Sequence, residues 1–363
     1  MIRQIPGNAM KVFNEVSRGG HTRWLNALVL GSGGRLGKIL TPEMQKSGMN
    51  VFSNTREITG ASESAIGKSL VENRIDVIVN TAVVSEGSRE EMQAVNVELP
   101  SRVAKAAQVQ GIPFIQVSST ATQVSGVGPS MPYADSKRDA ENELLEMNNS
   151  GKIKIARLDA LVGGSARGKI DISYMMRAGV ALHFKGISPI FQPTSYRATS
   201  IGLTNMALAC ADPDRVKSVP SVVNFAGAPI SISDFVRMLD EKAIELHVNP
   251  LELLAIADVV QNGSLTPEFL LLAISSGKDP KIHCNADFID FLGDEKLPTT
   301  DDLIMDIRNQ SCPLEFLKSA CEIVRNISDK PRLVREVAKL AYSSVVSPSG
   351  LSMRMPENRV LSS

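Results

Sequence analysis

Apolar residues in this 363-residue chain recur with two different periods. Short apolar runs of strand length occur at 26–30, 50–53, 76–80, 113–117 and 152–156. Between them, apolar positions return every three to four residues. Leu36, Ile39, Leu40 and Met44 form one such face, and residues 64–73 carry another. Met92, Val95, Val103, Ala106 and Ala107 form a third, and the segment from Pro132 to about Met147 a fourth. Continuous apolar runs fit strands buried on both faces, and the longer period fits helices with one buried face. Strands alternating with helices predict an α/β fold with a parallel sheet covered on both sides. Right-handed crossovers make that sheet doubly wound, with ligand sites at the carboxyl ends of its strands. Gly31, Asn80, Ser118 and Arg157 all fall at those ends.

Past Gly163 the pattern loosens. Residues 163–168 read as a loop, and a returning strand is predicted at 222–225 (within 221–226). Helices are predicted around 251–260, 267–274, 314–325 and 333–341. One strand followed by several helices predicts a smaller, mostly helical C-terminal lobe. The Ser/Pro/Gly-rich end from Ser347 reads as a flexible tail.

Two clusters carry candidate chemistry. The first is the turn Gly31-Ser32-Gly33-Gly34-Arg35-Leu36-Gly37, which follows a predicted strand and opens a predicted helix. Glycines there let backbone approach a pyrophosphate, whose charge rests on helix-terminal N–H groups. Its register is G-x-x-G-x-x-G, because Leu36 occupies the last glycine position of the commoner G-x-G-x-x-G. The second is Tyr133, the only tyrosine with a lysine four residues on, Lys137. On a helix the two share a face, and a neighbouring ammonium lowers a phenol's pKa by roughly 1–3 units, making it a usable acid/base. Pro132 suits a helix start, and the hydroxyls of Ser118, Ser119 and Thr120 lie just upstream.

Charge and cysteine content narrow the picture. The 39 basic and 39 acidic residues leave no net charge to attract nucleic acid or an acidic membrane. No stretch of 18 apolar residues predicts a membrane span. Cys210, Cys284, Cys312 and Cys321 show no C-x-x-C spacing, and His283-Cys284 has no second ligand pair, so free thiols and no metal are expected. A cytoplasmic location is expected. The first residues carry Arg3, Lys11, Arg18 and Arg23 against Glu15, a basic extension with which an organelle presequence is also compatible. The expected organisation is an extension at 1–24, a dinucleotide-binding domain at 25–165, a substrate-side and helical lobe at 166–346, and the tail at 347–363. After the second strand, Asn54-Thr55-Arg56 offers a guanidinium where a carboxylate would select NAD(H). With Arg35 in the turn, this favours NADP(H), NAD(H) being the alternative.

These motifs, in this order, resemble the extended short-chain dehydrogenase/reductase family, and most of all its dTDP-4-dehydrorhamnose reductase-like branch. The resemblance covers roughly residues 26–240. It implies that residues 31–37 hold the cofactor pyrophosphate and that Thr55 and Arg56 sit at the adenosine ribose. It implies that Asn80, Thr81 and Ala82 line the cofactor, as do Val117 and Ser118. It implies that Thr120, or Ser119 beside it, supplies the catalytic hydroxyl, that Tyr133 and Lys137 are the acid/base pair, and that Asn96 supports the lysine. The segment from Arg157 to Gly163 would border nicotinamide, and Tyr196-Arg197 would precede a substrate-side helix, with Arg197 facing substrate. The chain departs from the family in a short Thr120–Tyr133 interval and in Ala121-Thr122, where dehydratases carry an Asp-Glu pair. The residues after Asp240 match no motif of the family.

The resulting expectation is an NADP(H)-dependent oxidoreductase that moves hydride to a keto group of a nucleotide-sugar or similar carbonyl compound. The alternatives are an epimerase that keeps its nicotinamide bound, and a non-catalytic cofactor-binding subunit of an assembly. The expected partner is a small molecule, not a nucleic acid or a membrane, and a homodimer is allowed.

Overall fold

The computed structural model describes residues 24–53, 55–85, 87–123, 131–162, 180–184, 189–239, 241, 244–248 and 282–308. The predicted helices at 251–260, 267–274, 314–325 and 333–341, the 163–168 loop, the N-terminal extension to residue 23 and the tail lie outside them.

The strand-length runs form strands close to their predicted bounds: β1 (Leu25–Leu30), β2 (Met49–Phe52), β3 (Val77–Asn80), β4 (Phe114–Ser119) and β5 (Ile153–Leu158). With β10 (Val222–Phe225) they make one parallel sheet in the order β10-β5-β4-β3-β1-β2. Alternation within each strand explains why both faces are covered. Ala27 and Val29 of β1 join one core with Val77, Val79 and Ile115. Leu28 and Leu30 join the other with Ile78, Phe114 and Ile155. The first core is closed by α1 (Arg35–Lys46), through Leu40 and Met44, and by α7 (Tyr196–Ala211), through Leu203, Met206 and Ala207. The second is closed by α3 (Glu63–Glu72) and α5 (Leu99–Val109), with Leu144 of α6 (Pro132–Glu146). Burying a side chain such as Leu40 or Phe114 contributes about 1.5–3 kcal/mol, so this two-sided core anchors the strand ends that carry the site.

Strand order reverses at β1, which has β2 on one side and β3 on the other. In open parallel sheets ligands bind at such a switch point, outside the carboxyl ends of the strands. Short α2 (Thr55–Thr59) follows β2, and α4 (Arg89–Met92) runs through a π-helical turn (Gln93–Glu98) into α5.

The later part of the chain has more strands than its pattern predicts. Beside β10, the described residues include β6 (Leu161–Val162), β7 (Val180–Phe184), β8 (Ile190–Phe191), β9 (Thr194–Ser195), β11 (Ile230–Ser231) and β12 (Ile244–Val248). They pair with one another in two-stranded ribbons, most over only two residues, too short for an alternating pattern to register. Helices α8 (Ile232–Leu239) and α10 (Thr300–Arg308) pack among them, whereas α9 (Ala286–Leu292) packs on β10 and α7. Phe288 of α9 stacks on Phe225 of β10, ring centroids 4.6 Å apart, which fastens the late segment to the sheet edge. Among the described residues, no helix is long and apolar enough to cross a membrane.

Candidate cofactor and catalytic site

At the end of β1 the chain turns on glycines for a steric reason. Gly31 has φ +76°, and a Cβ there would lie 2.5 Å from the Ala82 nitrogen. A Cβ on Gly37 would lie 2.3 Å from the Gly31 carbonyl oxygen. Those two glycines let the turn, the start of α1 and the segment after β3 share one small space. Gly33 is different, because a Cβ there would meet nothing within 4 Å, so its surroundings are open. Gly34 caps α1 without a side-chain acceptor, and no acidic residue sits in the helix's first turn. The helix start thus has neither a side-chain cap nor an acidic residue of its own first turn. That suits a phosphate group. Ser32, Arg35 and Leu36 complete this turn, Arg35 being exposed.

Across the switch point, Thr81 ties the two strand ends together, its hydroxyl and its N–H both donating to the Leu30 carbonyl at 2.7 and 2.9 Å. Buried Asn80 donates to Gln116 Oε1 at 2.8 Å and accepts the Ala82 N–H at 3.1 Å. The backbone of Thr55 and Arg56 opens α2, directly after β2. Their side chains lie outside the described residues.

The catalytic candidates converge at the ends of β4 and β5. Tyr133 is partly buried near the start of α6, and Lys137, one turn on, is 3% exposed. The Lys137 ammonium donates to the Val117 carbonyl at 3.1 Å. Burial pushes its pKa down to about 8, an effect that the Glu141 carboxylate one turn further opposes. Asn96, in the π-helical turn, accepts the Val84 N–H at 2.9 Å and donates to the Val84 carbonyl at 2.8 Å and the Ser136 hydroxyl at 3.0 Å. Its bonds thus reach the neighbour of Lys137 and the irregular segment following β3. A π-helical turn often marks a functional position, here because the widened turn aims the amide inward.

Glu141 is the group the motif reading passed over. It is buried and takes a bidentate pair from Arg157, with contacts of 2.6 Å to Nη2 and 3.0 Å to Nε. It also accepts the Ser118 hydroxyl at 2.5 Å and the Thr122 hydroxyl at 3.3 Å. Tyr133, Lys137 and Glu141 stand at successive turns of one helix face, a spacing that could have flagged the carboxylate. Thr120 donates to Asp159 Oδ2 at 3.0 Å, and Ser119 accepts the Ala121 N–H at 3.2 Å. Arg197 stands apart, with its side chain 73% exposed and paired with Glu295 at 3.2 Å. Among the described residues, no three His, Cys, Asp or Glu side chains cluster in a way that could hold a metal ion.

Residues 25–176 match the model of the RmlD substrate binding domain family. No curated protein matches the chain in sequence. Solved structures do match in shape. A dTDP-4-dehydrorhamnose reductase from Bacillus anthracis in complex with NADP superposes with TM-score 0.55 at 15% identity, over 79% of this chain and 99% of that one. An epimerase from Methanothermobacter thermautotrophicus gives TM-score 0.55 at 15% identity, over 88% of this chain and 98% of that one. A UDP-glucuronic acid 4-epimerase from Bacillus cereus, in complex with UDP-glucuronic acid and NAD, gives 0.53 at 14%, over 81% and 99%. Identity that low speaks for the fold. In fold, the resemblance drawn from the motifs therefore holds: the chain has a Rossmann-type fold like that of these solved structures, and its residues 25–176 match the RmlD substrate binding domain family.

Proposed function

We propose that the protein is an NADP(H)-dependent oxidoreductase acting on a keto group of a nucleotide-sugar or a similar carbonyl compound. The observation that carries this reading is the single face of α6 on which Tyr133, buried Lys137 and buried Glu141 follow one another at the end of β4. Two of the solved structures similar in shape, the dTDP-4-dehydrorhamnose reductase in complex with NADP and the 4-epimerase in complex with UDP-glucuronic acid and NAD, support the same substrate class. A nicotinamide dinucleotide, when bound, supplies or takes the hydride. Gly31, Ser32, Gly33, Gly34, Arg35, Leu36 and Gly37 would hold its pyrophosphate, with Asn80, Thr81, Ala82, Val117 and Ser118 along its length. Tyr133 gives a proton to the substrate oxygen or takes it away, and a hydroxyl of the Ser119-Thr120 pair, Thr120 or Ser119, orients that oxygen. Lys137 lowers the phenol's pKa and holds a ribose, and Asn96 fixes the backbone beside it. Arg35 and Arg56 would read the 2′-phosphate. Arg56→Asp then weakens NADPH binding roughly ten- to a hundredfold relative to NADH, the worth of one charge-assisted contact.

The test is a thermal-shift screen of nucleotide sugars with and without NADPH, since a ligand of the folded form raises its stability by mass action. Hits are then assayed for loss of NADPH absorbance. Stabilisation by a keto-sugar nucleotide, with NADPH consumed, supports the reductase. Cofactor that co-purifies, with substrate converted and no net NADPH consumption, makes the protein an epimerase instead.

A further inference from the structure

The hydroxyl of Thr120 is committed before any substrate arrives. Its partner, Asp159 Oδ2, is 3.0 Å away, while Asp159 Oδ1 accepts the backbone N–H of Ala160 at 2.7 Å and of Gln192 at 3.1 Å. His283 Nε2 stands 3.9 Å from Oδ2, the Asp159 and His283 side chains being 11% and 10% exposed. His283 is held in turn by the Gln192 amide, which accepts its N–H at 2.6 Å and donates to its carbonyl at 3.1 Å. The late segment thus locks Asp159 from behind. A carboxylate only accepts, so the proton between Thr120 and Asp159 belongs to Thr120. A hydroxyl has one proton, and that of Thr120 is held by Asp159. Towards any further group its oxygen offers lone pairs alone. Ser119, next in the chain, spends an acceptor position on the Ala121 N–H and not its proton.

Building on the oxidoreductase reading above, we propose that Asp159 is a positioning residue that makes Thr120 an acceptor for a substrate hydroxyl next to the reacting carbonyl. Ser119 is the donor to that carbonyl, beside Tyr133. Two adjacent residues then present a donor and an acceptor side by side, matching the two neighbouring oxygens of an α-hydroxy ketone. A plain ketone would leave the Thr120 acceptor unfilled. The site therefore selects substrates that carry a hydroxyl on the carbon beside the carbonyl.

The experiment compares kcat/KM with NADPH for dTDP-4-dehydrorhamnose and its 3-O-methyl analogue, whose ether oxygen beside the carbonyl accepts a hydrogen bond and cannot donate one. The same ratio is measured for 2-hydroxycyclohexanone against 2-methoxycyclohexanone. Wild type should favour the hydroxylated member roughly ten- to a hundredfold, the factor carried by one hydrogen bond to a polarised group. Asp159→Asn is the decisive variant. Its amide oxygen must stay on the two N–H groups that Oδ1 now accepts, so its NH2 faces Thr120 and donates to it. That frees the Thr120 proton to donate to a hydroxyl or an ether oxygen alike and should collapse the preference towards unity, mainly through a lower KM for the methoxy substrate. A role confined to holding the fold would lower both substrates alike and leave the ratio standing. Should Asp159→Asn fail to fold, as read by circular dichroism, Thr120→Val must abolish the same ratio. A wild-type ratio near one, or a ratio unchanged in the variants, overturns the proposal while the oxidoreductase reading survives. No reduction of any of the four carbonyls by wild type overturns both.

Discussion

At the β1 end of the cleft the chain works by leaving side chains out, whereas at the β4–β5 end it buries charged ones. Gly31 and Gly37 bring backbone within contact distances that no Cβ permits, and α1 begins with neither a side-chain cap nor an acidic first turn. Three turns of α6, by contrast, hold Tyr133, Lys137 and Glu141, the last fixed by Arg157, Ser118 and Thr122. The first region fits a ligand whose charge is permanent, because helix-terminal N–H groups do not titrate. The second fits proton transfer, because burial and neighbouring charge set pKa values there. The two ends should respond differently to mutation, and that difference can be measured.

The largest effect is expected at Tyr133. Tyr133→Phe should lower turnover by about 10²–10⁴-fold while leaving NADPH affinity nearly intact, since the hydroxyl is assigned to proton transfer. Single-turnover kinetics and a fluorescence titration separate the two quantities. Near-normal turnover would remove the acid/base role from this end of the cleft.

Next comes the buried ion pair. Glu141→Ala leaves the Arg157 guanidinium without its bidentate partner and strips an acceptor from Ser118 and Thr122. Breaking a buried pair on one side typically costs about 3–5 kcal/mol, to be read from urea denaturation. The sharper arm replaces both residues by Met. If the pair serves the fold alone, the double variant recovers stability and function together. If Glu141 also sustains the charge on Lys137, stability returns and NADPH binding does not.

At the other end, Gly31→Ala should destabilise by about 2–4 kcal/mol. It forces an L-residue into the left-handed region and a Cβ against the Ala82 backbone. Gly33→Ala, in open space, should leave stability within about 1 kcal/mol of wild type. Equal losses at both positions would mean that the turn is not organised by close backbone approach.

The same contrast explains what the sequence could show. The sheet was legible because β1, β3, β4 and β5 are apolar on both faces, and the helices between them keep one apolar side. The glycine turn was legible because steric demands recur at a fixed spacing. Tyr133 and Lys137 declared themselves through one helical turn. Asp159, Gln192 and His283 did not, because they come from three separated segments, and tertiary contacts, the Gln192 amide on His283 and the packing of α9 on β10, bring His283 back to the sheet. The two-residue strands β6, β8, β9 and β11 were missed because alternation needs more positions to be visible. Arg197 was placed by its motif neighbourhood, yet its side chain meets Glu295 at the surface, a pairing no local pattern encodes.

The smallest effect is the most diagnostic, because function and stability should move in opposite directions. The Lys137 pKa falls from lysine's ordinary 10.5 to about 8 on burial. Between those values the unfolded chain holds more protons than the folded one, so stability attributable to this residue rises with pH across that window. Below about pH 8 the whole penalty of burying the ammonium is present, about 3 kcal/mol at 1.36 kcal/mol per pKa unit. Lys137→Met removes it, and takes from the Val117 carbonyl one of its two side-chain donors, the Gln116 amide remaining, a loss worth about 1–2 kcal/mol. The variant should therefore be more stable than wild type at pH 7 by about 1–2 kcal/mol, and the advantage should vanish by about pH 10. NADPH binding should fall at the same time, because the ammonium is assigned to the ribose. Urea denaturation at pH 7 and pH 10, without cofactor, reads the first effect, and fluorescence titration the second. A variant that is less stable at both pH values, or that binds NADPH normally, would mean the buried charge is not what distinguishes this end of the cleft.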